Sequence, residues 1–215
     1  MLGKNTRTIN RAPVRWTAYC WPSAEMDVLA VTRASRLAAL WSLGYGLYRA
    51  YYALGGTAGM PGVPLSQAEW VRINSVAAVL LFTTAVLALG SPRAWTRPWG
   101  RRMLLVFCWI VTVACVGHAL INIVERIASL NGAVTISYPF WQSIDRRQAD
   151  LQDLFFNEPW FFIEGILWAR IAWVAQVQKS PRRVWWVGSL VVAIVAATTF
   201  GVLVVFGVIE RVIAG

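Results

Sequence analysis

The chain of 215 residues carries 20 lysines and arginines against 10 acidic residues, for a net charge of +10. Hydrophobic residues make up 58% of it and charged residues 14%, with a mean hydropathy of +0.54, whereas soluble domains carry about 25% charged residues. That balance argues against a soluble globular core. The clustering of basic residues at the ends of apolar runs argues against a nucleic-acid-binding stripe.

Residues 1–36 read as a basic cytoplasmic N-terminal segment with Lys4, Arg7, Arg11, Arg15, Arg33 and Arg36. The segment lacks the apolar centre of a cleaved signal, and Pro13, Pro22, Glu25 and Asp27 interrupt it. The first apolar stretch is therefore expected to remain as a signal anchor. Residues 37–215 then form a single membrane domain. A spanning helix needs about 20 mostly apolar residues, and five stretches qualify, at about 37–55, 71–90, 103–126, 159–177 and 185–208. Backbone groups in lipid must be satisfied within each segment, and no barrel-like alternation is present. The expected fold class is all-α: a polytopic integral membrane protein, a five-transmembrane-helix bundle with an external interfacial helix.

The connections set the orientation. After the first span, Gly55, Gly56, Gly59 and Gly62 with Met60-Pro61 and Pro64 read as a turn, since no strand precedes them to make a phosphate cradle. Arg93, Arg97, Arg101 and Arg102 follow the second span, and Lys179, Arg182 and Arg183 follow the fourth; with the N-terminal six, thirteen basic residues share one side. The opposite side holds Arg72, Arg126, Arg146, Arg147 and Arg211, offset by Glu69, Asp145, Asp150, Asp153, Glu158 and Glu210. The positive-inside rule places the N-terminus in the cytoplasm and the C-terminus outside, in the cell's inner (plasma) membrane. Trp16, Tyr19, Trp21, Trp95, Trp99, Trp141, Trp160, Trp185 and Trp186 flank the spans as aromatic belts.

The connection at 128–158 is too long for a structureless loop. Within it, residues 143–156 predict an amphipathic helix capped by Ser143, with Ile144, Leu151, Leu154 and Phe155 on its apolar face and Asp145, Arg146, Arg147 and Asp153 opposite. Such a helix lies on the membrane surface, lids the bundle, or is simply solvated.

Cys20, Cys108 and Cys115 and a lone histidine provide no metal-ligand spacing, so no metal site is expected. No nucleotide loop, serine elbow or zinc-protease pattern is present either, and no cofactor is expected.

Ionisable groups inside the spans carry the functional signal, because each costs about 2.5–3.5 kcal/mol to insert unless it finds a partner. By helical rise, Arg49, His118 and Glu164 lie about 9–10 Å below the outer edge. His118, Asn122 and Glu125 share one helix face; Trp41, Tyr45, Tyr48, Arg49 and Tyr52 form a stripe on the first span; Asn157, Trp160, Glu164 and Trp168 form another on the fourth, entered through Pro159. Asn74 joins from the second span. The expectation is a polar cavity in the outer half of the bilayer, with ligand-binding residues Tyr45, Tyr48, Arg49, Tyr52, Asn74, His118, Asn122, Glu125, Asn157, Trp160 and Glu164. The plainer reading has Arg49 pair with Glu164 only to neutralise both, His118 as a hydrogen-bonded core residue, and Glu125 and Arg126 as interface markers. Arg170 is expected to snorkel towards the cytoplasm.

The segment Tyr48-Arg49-Ala50-Tyr51-Tyr52-Ala53-Leu54-Gly55-Gly56-Thr57-Ala58-Gly59-Met60-Pro61 resembles the opening of a family of small actinobacterial multi-pass membrane proteins. Their first span ends in Tyr-Trp-Ala-Leu-Gly-Gly followed by Gly-x-Pro, and Tyr52 stands here at the Trp position. That resemblance implies a multi-pass topology and no particular activity. His118, Glu125, Glu164 and Asn157-Glu158-Pro159-Trp160 are loosely similar to the emopamil-binding sterol isomerases, five-span proteins with a His and acids in a membrane cavity. In that family the acid follows the His by four positions, where this chain has Asn122, and the Asn-x-x-Trp element comes on a later span.

Two functional classes follow. One is a binding module that holds a lipid-like small molecule or a partner membrane protein, with no nucleic acid involved. The other is an intramembrane isomerase or cyclase acting on an isoprenoid or sterol-like lipid, with His118, Glu125 and Glu164 as candidate catalytic groups. A transporter is a third, weaker option.

Overall fold

A computed structural model describes residues 24–176 and 181–206. The basic positions Lys4, Arg7, Arg11 and Arg15, Cys20, the early aromatics, Lys179, Glu210 and Arg211 lie outside the described residues. Five long helices carry the described fold: α1 (Ala24–Ala53), α2 (Gln67–Trp95), α3 (Pro98–Leu130), α5 (Glu158–Ala175) and α6 (Pro181–Val205). A short helix, α4 (Arg146–Gln152), runs through a π-helical turn (Asp153–Asn157) into α5. Two short strands, β1 (Gly62–Pro64) and β2 (Trp141–Ile144), pair antiparallel.

α2, α3 and the Trp186–Val205 part of α6 are long and apolar enough to cross a membrane. α1 and α5 fall short of that measure because hydroxyls, tyrosines and charged residues interrupt them, Arg49 in α1 and Glu158, Glu164 and Arg170 in α5. Large apolar residues are nonetheless exposed along the helices, among them Leu40, Val79, Val86, Ile110, Val192 and Val195. Soluble monomers rarely expose apolar surface on that scale, whereas a lipid-facing helix must.

The helices pack in the order α2, α1, α5, α3, α6, with α2 also touching α3. Small residues explain the tight pairs. α1 buries Ala34, Ser35, Ala38 and Ser42, and α2 buries Ala78, Ala85, Ala88 and Ser91, so the two backbones approach closely. Gly165 does the same for α5 on α3, since a Cβ there would stand 2.6 Å from Val116 Cγ2 and 3.2 Å from the Thr112 carbonyl. An apolar core fills one end of the bundle, built from Val31, Ala38, Ala88, Leu104, Cys108, Trp168, Ile171 and Trp186. At that end the Arg183 guanidinium lies over the Trp173 ring.

Three expectations change. α1 begins at Ala24, well before residue 37, because Val31, Ala34 and Ser35 bury one face of the helix while Arg33 and Arg36 stay exposed on the other. The 128–158 connection does not form a helix capped by Ser143. Ser143 belongs to β2, Asp145 caps α4 by accepting from the Gln148 backbone N–H, and Ile144 pairs with Gly62. The chain is thus helical with a small β clasp. The glycine turn is shorter than expected: Gly55 and Gly59 lie in it at φ of 90° and 79°, the left-handed region that favours glycine, whereas Gly62 and Pro64 are the two ends of β1.

Candidate functional site

The second end of the bundle is polar, and its side chains form one connected network. Arg49 on α1 donates through Nη1 to Asn74 Oδ1 of α2 at 3.2 Å and through Nη2 to the Tyr45 hydroxyl at 2.8 Å. Tyr45 donates in turn to Asn157 Oδ1 at 3.0 Å, and Asn157 Nδ2 donates to Asp153 Oδ1 at 2.6 Å. Asp153 Oδ2 pairs with Arg126 Nη2 at 2.7 Å, and Arg126 Nη1 reaches Asp150 Oδ1 at 3.3 Å and the Tyr138 hydroxyl at 2.9 Å. Asp150 also accepts from Tyr138 at 2.5 Å and from Ser129 at 2.6 Å. Four segments distant in sequence are therefore joined, α1 to α2 and α3 to the connection by charge-assisted bonds, the stronger kind, and α1 to the connection by the neutral Tyr45–Asn157 bond.

Aromatic rings wall the network. Trp160 is stacked between Trp41, at 4.2 Å between centroids, and Tyr45, at 5.3 Å. Tyr48 meets Tyr52 edge to face at 4.9 Å, and its hydroxyl accepts from Gln152 at 3.0 Å. The Arg49 guanidinium lies 5.0 Å from the Tyr45 ring centre and 5.9 Å from that of Tyr48, so the rings stabilise a half-buried cation from the side. Among the described residues no carboxylate lies within ion-pair distance of Arg49.

A cavity of about 230 Å³ opens between these parts. Tyr48, Arg49 and Tyr52 of α1 and Trp70 of α2 line it from the helices, Arg126 and Gln152, Asp153 and Asn157 from the side, and Met60, Pro61, Tyr138, Trp141 and Ile144 from the clasp. The clasp forms because Pro61 and Leu65 flank β1 and bond across, Asp145 N–H to the Pro61 carbonyl at 2.9 Å and Leu65 N–H to the Phe140 carbonyl at 2.8 Å.

No family model, curated protein or solved structure shows significant similarity to the chain. The geometry alone therefore carries the functional reading.

Of the expected residues, Tyr45, Tyr48, Arg49, Tyr52, Asn74 and Asn157 meet at the cavity or directly behind it, with Trp160 stacked on Tyr45. The others do not. Glu164 does not pair with Arg49: its Oε1 accepts from Ser42 at 2.6 Å and from Trp168 at 2.7 Å. Ser42 lies two helical turns from Arg49, about 10 Å along α1, so Glu164 sits deeper than the level expected for it. His118 is half exposed; its Nε2 lies 3.8 Å from Glu158 Oε2 and 3.1 Å from Asn122 Nδ2, and its ring meets Phe161 edge on. Asn122 and Glu125 are buried on α3 but do not line the cavity. Of the two candidate acids of an isomerase, Glu164 is thus apart from His118, since it follows Glu158 by about 9 Å of helical rise.

The sequence reading missed Arg126, Asp150, Asp153, Tyr138, Trp70, Trp141 and Gln152. Asp153 and Asn157 at i, i+4 were a usable signal for a local bond. The return of Tyr138 and Asp150 onto α3 was not.

Proposed function

We propose that the protein is a five-span integral membrane protein of the plasma membrane, with the cavity at its extracytoplasmic end, and that the cavity binds the polar end of a lipid-like small molecule. The thirteen basic residues on the far side support that orientation through the positive-inside rule. In this reading α1 and α5 cross the bilayer despite their polar groups because Arg49 is bonded to Asn74 and Tyr45 and Glu164 to Ser42 and Trp168, while the exposed Arg170 snorkels towards the cytoplasm.

The observation that carries the reading is the cavity itself, lined by aromatic faces and a clasp, with Arg49 in its wall and, among the described residues, no carboxylate within ion-pair distance of that guanidinium. At about 230 Å³ it is smaller than the roughly 300–1,000 Å³ usual for whole drug-sized ligands. It therefore suits a head group, with the apolar tail left on the exposed apolar surface of the helices. Binding is favoured over isomerisation because Glu164 and His118 face different surroundings.

The test is native mass spectrometry and lipid extraction of the full chain purified in mild detergent. A retained amphiphile is expected in wild type and its loss in Ala149→Phe, since Ala149 of α4 is part of the cavity wall and the larger ring fills it, with helicity checked by circular dichroism. An identical lipid complement in both proteins would overturn the reading.

A further inference from the structure

The donors and acceptors around the cavity do not balance, and the imbalance has a chemical sign. Arg49, Trp70 and Arg126 all line it, and each keeps a buried N–H without a partner, at Arg49 Nε, Trp70 Nε1 and Arg126 Nε. A single lining side chain has a buried acceptor in that state, Gln152 through Oε1. The charges are distributed as unevenly as the bonds. Arg126 is held by both Asp150 and Asp153, and Asp153 has its second oxygen occupied by Asn157. Arg49 is held by an amide oxygen, a phenol and two ring faces, all neutral. A guanidinium presents five N–H donors in a planar fork suited to carboxylate or phosphate, and Arg49 spends two of its groups on Asn74 and Tyr45.

We propose that the head group bound in the cavity is an anionic oxygen group, a carboxylate or a phosphate, with Arg49 as its counter-ion and the Trp70 indole N–H as a second donor. The inference rests on the binding reading above and adds the charge of the ligand to it. A cation or a donor-rich sugar would meet the same surplus of N–H groups and gain little. An oxyanion meets complementary donors, and the aromatic walls strengthen the attraction by excluding water.

The experiment uses the full chain in detergent and four probes: oleate, oleyl phosphate, oleyl alcohol and inorganic phosphate. Affinities are read by native mass spectrometry across a titration. Oleate or oleyl phosphate is expected to bind about tenfold or more tighter than oleyl alcohol, the scale of one charge-assisted hydrogen bond. That preference should vanish in Arg49→Gln and persist in Arg93→Gln, a charge change at the far end of α2. Trp70→Phe keeps the Arg49 charge and an aromatic ring while removing the N–H, and should weaken the acids without affecting the alcohol, so the test survives if Arg49→Gln fails to fold. Displacement of oleate by inorganic phosphate upholds an oxyanion site fed by a soluble anion, and lack of displacement upholds a lipid source. Equal binding of alcohol and acids by wild type overturns the charge inference alone. If none of the three oleyl probes binds and the purified chain carries no amphiphile, the binding reading itself falls.

Discussion

Arg126 at the end of α3 and Asp153 in the π-helical turn are joined by a 2.7 Å ion pair, 27 residues apart in the chain. The pair fixes where α5 begins, because Asp153 also holds Asn157, whose side chain accepts from Tyr45. Arg126 also pairs with Asp150, whose carboxylate is only 3% exposed, and removing one partner of a pair with a buried member leaves that charge uncompensated.

Arg126→Ala should therefore destabilise the protein by about 3–5 kcal/mol, the range for stranding a buried charge, since it leaves the buried Asp150 without its cation, with the partly exposed Asp153 adding less. Chemical unfolding in detergent checks this. A loss under about 1 kcal/mol, the scale of an exposed pair, would mean that water reaches these carboxylates freely.

Gly62→Ala should break the clasp. A Cβ on Gly62 would collide with the backbone carbonyl of Ser143, which cannot move without the whole strand. Limited proteolysis is expected to cut between residues 55 and 66 or between 131 and 145 several-fold faster than in wild type, with helicity unchanged. Equal cleavage rates would show that β1 and β2 contribute no protection.

Gly165→Ala should cost about 1–3 kcal/mol, the usual scale of overpacking, because the new methyl meets Val116 Cγ2 at 2.6 Å. Val116→Ala in the same chain should recover part of the loss. If the double variant is no more stable than the single one, the neighbouring Thr112 carbonyl at 3.2 Å sets the limit instead.

Tyr138 gives a pH dependence of definite sign. Burial and then its hydrogen bond to Asp150 raise its phenol above the ordinary tyrosine value. An unfolded tyrosine titrates at about 10, so above that pH the unfolded chain releases a proton that the folded chain keeps. The stabilisation is complete below pH of about 10 and declines as pH rises further. Thermal unfolding between pH 8 and 11 should show a steeper alkaline decline for wild type than for Tyr138→Phe. Parallel curves would count against it.

Orientation is open to direct labelling. Ala58→Cys, in the turn after α1, should react with a membrane-impermeant maleimide in intact cells, and Thr96→Cys, at the end of α2, should react only after lysis. The reverse pattern would invert the proposed topology.

The residues show why some of this was legible and some not. The runs in α2, α3 and α6 announce themselves because lipid-facing surface needs apolar side chains on most of each turn. The start of α1 was hidden because Arg33 and Arg36 look like a boundary, while the small residues between them do the packing. Arg49, Tyr45 and Asn157 were found from helical phase, which is local information. Arg126 was dismissed as an interface marker because its partners, Tyr138, Asp150 and Asp153, arrive only when the connection folds back on α3. Glu164 lies deeper than helical rise from the loop ends predicts, since those ends are not level where a π-helical turn leads into α5.

The clasp also imposes an order on assembly. β1 is made with Gly62, but its partner Ile144 follows more than eighty residues later, so a nascent α1–α2 hairpin emerges with Arg49 uncovered and must wait for α3 to be threaded before anything closes over it. A ribosome stalled before β2 would hold the two helices without their roof.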